Sequence, residues 1–324
     1  MRIGIITPAP PSSLQGNRRT ALRWAKLLRQ LGHRVVIAET YADQPFDVLI
    51  ALHAKRSYDS INRFYRLHPR RPLIVALTGT DLYHDLRRSR QAQMSLEMAT
   101  RLIVLQPKAF DDLPERLHRK TRVVYQSVQF AAQLAEQIQH STSHLQNFQV
   151  CVIGHLREVK DPFRTAMASR LLPKSSRIQI FQVGKALSER IAVGARREMH
   201  LNPRYHWLGE QTPKRAADIL QSSQLCVNSS RMEGGANAVS EAIAAGVPVI
   251  ASRVPGNVGL LGETYPGYFE SGNTKQLAQL LYRAETDDNF LAQLKLSGQN
   301  LAGNFLPEQE LDAWANLLAE LFAG

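Results

Sequence analysis

The chain has 324 residues, 44% of them hydrophobic and 7% aromatic, enough for two domains with cores of their own. No run of eighteen apolar residues exists, which excludes a membrane-spanning helix, and the apolar part of Met1–Pro8 is too short for a secretion signal. The net charge of +12 sits almost wholly in residues 1–144, with 22 Lys+Arg against 11 Asp+Glu, while the remainder holds 18 against 17; without any nucleic-acid module or Cys/His zinc spacing, the excess fits an anionic small substrate, an anionic surface or a solvated face.

The first half alternates strands and helices as a doubly wound sheet does. Arg2–Thr7 reads as a strand and Pro8–Gly16 as a loop. A helix is predicted from Asn17 to about Leu31, closed by Gly32. Strands Arg34–Ala38 and Phe46–His53 follow, then a helix over Tyr58–Leu67. Leu73–Leu77 is a strand leading into Thr78-Gly79-Thr80-Asp81, followed by a helix near Ala92–Ala99 and strands Leu102–Leu105 and Arg122–Gln126. No Gly-x-Gly-x-x-Gly follows the first strand, which argues against a dinucleotide oxidoreductase. Residues 128–147 are rich in Gln, Ala, Ser and His and are expected to connect the domains.

A second series begins with a strand at Gln149–Gly154. It continues with a helix after Asp161, strand Ile178–Val183, a helix near Leu187–Arg197, strand Tyr205–Leu208 and a helix over Pro213–Gln221. After the strand Leu225–Val227 comes Ser229–Ser252: a strand end, a glycine turn, a helix from Asn237 to Ala245 stopped by Gly246, and a new strand. Pro255–Gly259 reads as a turn. Helices are predicted near Thr274–Ala284 and Phe290–Leu301, and an amphipathic one over Gln309–Leu321. The two cysteines, Cys151 and Cys226, each fall inside a buried strand and read as core thiols, neither a disulfide nor a metal site.

The chemistry gathers around the glycine turn. Gly234 and Gly235 are expected to supply unusual φ values and close backbone approach. The helix start behind them, at Ala236 and Asn237, offers free N–H groups and a positive dipole end to a phosphate. Glu233 precedes the helix and Glu241 lies just over a turn inside it, so the two carboxylates can face one pocket from different sides. A carboxylate taking two hydroxyls is a standard hold on a ribose; a solvated Glu is the plainer alternative. Upstream, Gly154-His155-Leu156-Arg157-Glu158-Val159-Lys160 leaves a strand end, and Arg157 and Lys160 suit a diphosphate, or are simply solvated cations.

The Glu233-x7-Glu241 spacing with its Gly-Gly turn and the Ala-x-Ala-x-Gly-x-Pro-Val strand entry resembles the retaining, family-4-like glycosyltransferases. That resemblance implies the GT-B fold: an α/β architecture of two Rossmann-like domains facing across a cleft, with the last helix crossing back to the first domain. The implied domains are 1–127 for the acceptor, a linker at 128–147, 148–305 for the donor, and 306–324 as the returning helix. It implies that Glu241 binds the donor ribose, that Glu233 lies near the transferred sugar, and that Arg157 and Lys160 neutralise the departing nucleoside diphosphate without a metal or other cofactor. The chain departs from the family at His155, where the Arg usually directly follows the glycine. Gly184 and Gly209 close the loops that line the nucleobase in such enzymes, and Trp207 fits either core packing or base stacking.

Several loops of the first half follow strand carboxyl ends and gather cations, hydroxyls and glycines: Gly16-Asn17-Arg18, His53 with Lys55 and Arg56, and Thr78-Gly79-Thr80-Asp81. Such a rim suits a small, highly charged acceptor. Asp81 either orients that acceptor or caps the following helix. Together with Tyr125-Gln126-Ser127, the Gly154–Arg157 loop and Arg231–Asn237, these loops resemble the selenosugar synthases of selenoneine biosynthesis, from Met1 to about Phe269. The resemblance implies transfer of N-acetylglucosamine or glucose from its UDP form to selenophosphate, giving a 1-selenosugar; the two core thiols point to a reducing cytoplasm. The alternatives are an ordinary glycosyltransferase with a sugar, lipid or metabolite acceptor, and a non-catalytic sugar-nucleotide-binding protein. The expected partners are thus the UDP-sugar and selenophosphate, with no nucleic acid and no stable membrane insertion; oligomeric state is left open.

Overall fold

Short apolar runs flanked by polar turns fold here as two all-parallel sheets of six strands each. The computed structural model describes residues 1–11, 16–128 and 147–322. The chain divides into two units, Met1–Ser127 with Pro307–Gly324, and Val128–Leu306. The expected connecting segment 128–147 lies outside the described residues apart from its two ends. Among the described residues no helix is long and apolar enough to cross a membrane.

In the first unit, β1 (Arg2–Ile6), β2 (Arg34–Ala38), β3 (Val48–Leu52), β4 (Leu73–Leu77), β5 (Arg101–Val104) and β6 (Thr121–Val123) pair in the order β2-β1-β3-β4-β5-β6. Every residue of β3 and β4 is buried, because a parallel sheet is covered on both faces. One face packs on α1 (Gly16–Gln30) and the C-terminal helix Pro307–Phe322. The other packs on α2 (Tyr58–Leu67) and α3 (Arg90–Met98). In α1, the buried Ala21, Trp24, Ala25 and Leu28 recur at helical spacing and make one apolar stripe.

The C-terminal helix meets that stripe with Trp314, whose ring lies edge-on to Trp24 at 4.9 Å and 71°. Both rings are fully buried, each worth roughly 1.5–3 kcal/mol of burial. Beside them the buried Glu310 accepts hydrogen bonds from Trp24 Nε1 at 2.8 Å, Ser127 N at 2.8 Å and Ser127 Oγ at 2.5 Å. It also pairs with Arg23 at 3.3 Å. A carboxylate with this many donors ties the chain's last helix to the first unit firmly.

The second unit contains β7 (Phe148–Ile153), β8 (Ile178–Val183), β9 (Tyr205–Trp207), β10 (Leu225–Asn228), β11 (Val249–Ser252) and β12 (Tyr268–Phe269), ordered β12-β11-β10-β7-β8-β9. Its helices are α4 (Arg164–Ser169), α5 (Glu189–Leu201), α6 (Pro213–Ser222), α7 (Asn237–Ala244), α8 (Pro255–Leu261), α9 (Thr274–Thr286) and α10 (Asp288–Gln299). Side-chain caps start several of them: Ser188 accepts from Ile191 N, Thr212 from Arg215 N, and Asn273 from Gln276 N. Cys151 and Cys226 are register partners on β7 and β10, both free and fully buried. The neighbouring thiol and burial push the Cys226 thiol well above its ordinary range.

Strand order places a topological switch point between β1 and β3 in the first unit, and between β7 and β10 in the second. Ligands of open parallel sheets bind outside the strand carboxyl ends at such points.

Two sequence expectations need correction, a turn and two strand lengths, and the turns after β4 and β5 stand where the sequence carries no expectation. Pro255–Gly259 is not a turn but the start of α8: Pro255 supplies a preset φ at the first helical position, and Val254, Val258 and Leu261 are buried on one side. The two glycines of that segment hide its helical period. After β4 the chain makes a π-helical turn, Asp81–Asp85, and short 3-10 turns fill Pro107–Asp112 and Glu115–Lys120. Finally, the strands read as Phe46–His53 and Arg122–Gln126 are shorter, because His53 takes a left-handed φ of 75° and the backbone leaves the sheet after Val123.

Candidate active site

The carboxyl ends of β7, β8 and β9 terminate in Gly154, Gly184 and Gly209, with φ of 150°, 143° and 69°. Gly154 N donates to Val183 O at 2.9 Å and Gly184 N to Gly209 O at 2.8 Å, so the three glycines form one contiguous rim. A Cβ on Gly184 would lie 2.1 Å from Gly154 O, which requires glycine there for space as well as φ. Trp207 donates from Nε1 to Gly184 O at 2.8 Å. It therefore pins the rim, and its half-buried ring packs beside Leu156 and Ile191. His155, which stands where the resembled family has Arg, accepts at Nδ1 from Lys185 N and joins the loops after β7 and β8.

From this rim the chain runs through Arg157 into a 3-10 turn, Glu158–Lys160, that ends at Asp161 with a left-handed φ of 44°. The loop after β10 holds this turn in place. Arg231 N donates to Val159 O at 2.8 Å, Ser229 Oγ donates to the carbonyls of Lys160 and Asp161, and the Arg231 side chain reaches Asp161 at 3.5 Å. Lys160 is thereby set facing Glu233, and the two pair at 2.5 Å. Arg157 is exposed, and its guanidinium has no ion pair with the described residues.

Glu233 is 7% exposed and its Oε1 takes three donors: Lys160 Nζ at 2.5 Å, Ser230 Oγ at 2.6 Å and Asn228 Nδ2 at 3.3 Å. Burial by itself raises its pKa, but the Lys160 charge, with Ser230 and Asn228, outweighs burial and holds the carboxyl below its usual range. The carboxylate is thus charged and fixed at neutral pH. Beneath it, Ser252 Oγ donates to Ser230 O at 2.5 Å, and the fully buried Asn257 donates to Ser252 and Asn228. A Cβ on Gly256 would sit 2.0 Å from Glu233 O, so the first turn of α8 lies directly against the Glu233 backbone.

Gly234 and Gly235 do not have the positive φ expected of them; the left-handed turns fall at the strand-end rim instead. Among the described residues no side chain caps α7 at Ala236, which leaves its first N–H groups without a capping acceptor. Glu241 lies one turn further along α7, half-buried. The structure therefore joins Gly154, Gly184 and Gly209 as a rim, Lys160 with Glu233 as a pair, and Ala236–Asn237 as an open helix start. All lie at the carboxyl ends of one sheet around its switch point.

In the first unit the residues of the basic rim are partly spoken for. Asp81 is fully buried and neither caps the following turn nor faces outward. Its Oδ1 accepts from Thr78 N and Gly79 N, each at 2.9 Å, and its Oδ2 from Ala54 N at 3.1 Å. The Thr78 and Gly79 amides are therefore committed to a latch between the loops after β3 and β4. Lys55 pairs with Asp85 at 3.2 Å, a residue the sequence reading passed over. Burial works to raise the Asp85 carboxyl, but His84 and Lys55 outweigh it and hold it below the usual range. His53, 2% exposed, accepts at Nδ1 from Arg56 N and so carries its proton on Nε2, facing Thr80 Oγ1 at 3.2 Å and Asp85 at 3.8 Å. Arg56 is exposed, with no ion pair to the described residues. Arg18 is half-buried, its Nε without a partner among the described residues, and Gly16 and Asn17 stand with it at the start of α1.

The profile of the family described as "Glycosyl transferases group 1" matches residues 135–301, just over half of the chain. The chain belongs to the group 1 glycosyl transferases. Among solved structures, this glycosyltransferase is similar to Thermosynechococcus elongatus sucrose-phosphate synthase, at 17% identity and TM-score 0.78 over 99% of each chain. It is similar to Anabaena Alr3699/HepE in complex with UDP, at 16% identity and TM-score 0.73, covering 98% of this chain and 99% of that one. A Rickettsia africae glycosyltransferase gives 14% identity and TM-score 0.70 over 99% and 98%. At these identities the likeness is one of fold, and the expected GT-B architecture of two parallel α/β sheets stands. No curated protein sequence matches the chain.

The residues the sequence reading missed are Asn228, Ser230, Ser252, Gly256, Asn257 and Asp85. The first three could have been found as polar residues closing otherwise apolar strands. The others could not, since the partners that bring them into the site, Lys55 for Asp85, Glu233 for Gly256 and Asn228 for Asn257, lie far along the chain.

Proposed function

We propose that this glycosyltransferase moves N-acetylglucosamine or glucose from its UDP form to the selenium of selenophosphate, forming a 1-selenosugar. The observation that carries the donor half is the Lys160–Glu233 pair, set beside the glycine rim and the uncapped start of α7. In this reading the rim takes the uracil through backbone groups and Glu241 takes the ribose. Arg157, Lys160 and the amides from Gly234 to Asn237 receive the diphosphate. Glu233 lies at the transferred sugar. A UDP-sugar donor is in keeping with the Anabaena neighbour, whose structures carry UDP and UDP-glucose.

The chemistry asks little of the protein at the acceptor. A selenium lone pair forms the bond to the anomeric carbon as the bond from that carbon to the diphosphate oxygen breaks, and UDP departs with the electron pair. Water then cleaves the selenium–phosphorus bond and phosphate leaves. No general base is needed; the site positions two anions and stabilises charge growing on UDP, with no metal assigned a part. Since Lys55 and the Thr78 and Gly79 amides are engaged, the acceptor phosphate falls to Arg56 and Arg18, with the Thr78 and Thr80 hydroxyls. The Thr80 hydroxyl accepts from His53 and keeps its own proton to donate.

One observation favours a second reading. Asp85 puts a carboxylate among these acceptor residues, which suits a hydroxyl-bearing acceptor better than a phosphate. Incubation with UDP-N-acetylglucosamine or UDP-glucose and selenophosphate, followed by mass spectrometry, decides. A selenium-isotope pattern on a sugar-sized product supports the proposal, and release of UDP with no selenium-containing sugar overturns the acceptor.

A further inference from the structure

Glu233 owes its state to neighbours that are themselves oriented by a residue on another element. Asn228, at the end of β10, gives Glu233 one hydrogen bond from its NH2, so its carbonyl oxygen must face away from the carboxylate. That oxygen lies 3.3 Å from Nδ2 of Asn257 and 3.2 Å from Ser230 N, both of which can only donate. The same Asn257 NH2 donates to Ser252 O at 2.9 Å and reaches Ser252 Oγ at 3.2 Å. Since Ser230 O can only accept, the Ser252 hydroxyl sends its proton there. Asn228, Ser230, Ser252 and Asn257 are all buried, so each of these polar groups depends on its neighbours for hydrogen bonds.

We propose that Asn257 is a positioning residue for Glu233: together with Ser230 N, its side-chain NH2 fixes the direction of the Asn228 amide, so that Asn228 presents a donor and not a carbonyl oxygen to the carboxylate. Gly256 makes this possible by letting the first turn of α8 lie against the Glu233 backbone. Were Asn228 to turn over, its oxygen would face Glu233 and the carboxylate would lose a donor and gain a repulsive neighbour. The inference rests on the reading of Glu233 as a group of the donor site. The charged groups nearest Glu233 are Lys160 from the turn after β7 and Arg231 on its own loop, which is held by Asp161; α7 carries Glu241. Pro255–Leu261 of α8 and Val249–Ser252 of β11 carry no charge.

The test is a double-mutant cycle of Asn257→Ala and Asn228→Ala, read as the pH dependence of kcat/KM for UDP release from a UDP-sugar. Losing the oriented donor is expected to move the acid limb upward by about half to one pH unit in Asn257→Ala, and by a similar amount in Asn228→Ala. The double variant is expected to move it no further, since both changes remove the same hydrogen bond. An unmoved limb in folded Asn257→Ala, or shifts that add in full, overturns the inference. If Asn257→Ala does not fold, Asn257→Ser, which keeps a donor toward Ser252 but cannot reach Asn228, enters the same cycle with the same expectations. A separate reading guards against failure of the donor-site assignment, which full turnover by Glu233→Gln would reveal. In 15N NMR the Asn228 side-chain NH2 is expected to be slow to exchange in the wild type and fast in Asn257→Ala; equal protection in both overturns the inference without reference to catalysis.

Discussion

Replacing Lys160 by methionine removes the cation that faces Glu233 and leaves a carboxylate that is 7% exposed without its counter-charge. Breaking a buried pair from one side costs about 3–5 kcal/mol. Lys160 is itself 26% exposed, and Ser230 and Asn228 continue to donate, so about 2–3 kcal/mol is expected. For a unit of this size that is a fall in melting temperature of roughly 5–10 °C at neutral pH.

The pH dependence carries the sharper content. In the wild type Glu233 has a pKa below its unfolded value. Its contribution to stability is therefore complete above the unfolded pKa and is lost as pH falls through the folded one. In Lys160→Met burial prevails and the folded pKa rises above the unfolded value. That variant is then penalised at neutral pH and relieved as pH falls and the carboxyl takes up a proton. The gap in melting temperature between the two proteins must narrow from pH 7 toward about pH 4.5. Thermal unfolding of the full chain followed by circular dichroism measures it. A gap that is independent of pH, or smaller than about 1 °C at pH 7, would refute the claim that Lys160 sustains a buried charged Glu233.

Three further outcomes are expected. Gly256→Ala would place a Cβ 2.0 Å from Glu233 O; the displaced carboxylate should cost about tenfold to a hundredfold in kcat, and wild-type turnover would show that α8 does not set its position. Glu310→Ala leaves Trp24, Ser127 and Arg23 without their shared acceptor and should cost about 3–5 kcal/mol in chemical denaturation, with less than 1 kcal/mol marking the contact as incidental. Cys151 and Cys226, both free and fully buried, should resist an aromatic disulfide reagent in the native protein and both react in denaturant; rapid native labelling would contradict their place in the core.

What could be read from the sequence followed from how local each signal is. Tyr58–Leu67, Leu73–Leu77 and Ile178–Val183 fold over the expected residues because their apolar period or run is bounded by turn residues at both ends. The helix at Pro255 was hidden because glycines at 256 and 259 interrupt its apolar period. Its identity comes from burial of Val254, Val258 and Leu261 on one side. In the site, the strand-end glycines and the Glu233-x7-Glu241 spacing were legible because each belongs to one stretch of chain. The network under Glu233 was not, since Asn228, Ser252 and Asn257 meet only once β10 and β11 lie side by side. Asp81 shows the converse: its residue type was noticed, but a carboxylate that turns back onto Thr78, Gly79 and Ala54 has the same sequence signature as a helix cap.

The account stands on the placement of a nucleoside diphosphate at the carboxyl ends of β7 and β10. A crystal of the protein grown with UDP tests this directly. The account predicts the diphosphate within hydrogen-bonding reach of Lys160 and the start of α7, with the ribose hydroxyls on the Glu241 carboxylate. UDP bound with its phosphates remote from Lys160 and its ribose remote from Glu241 would contradict it.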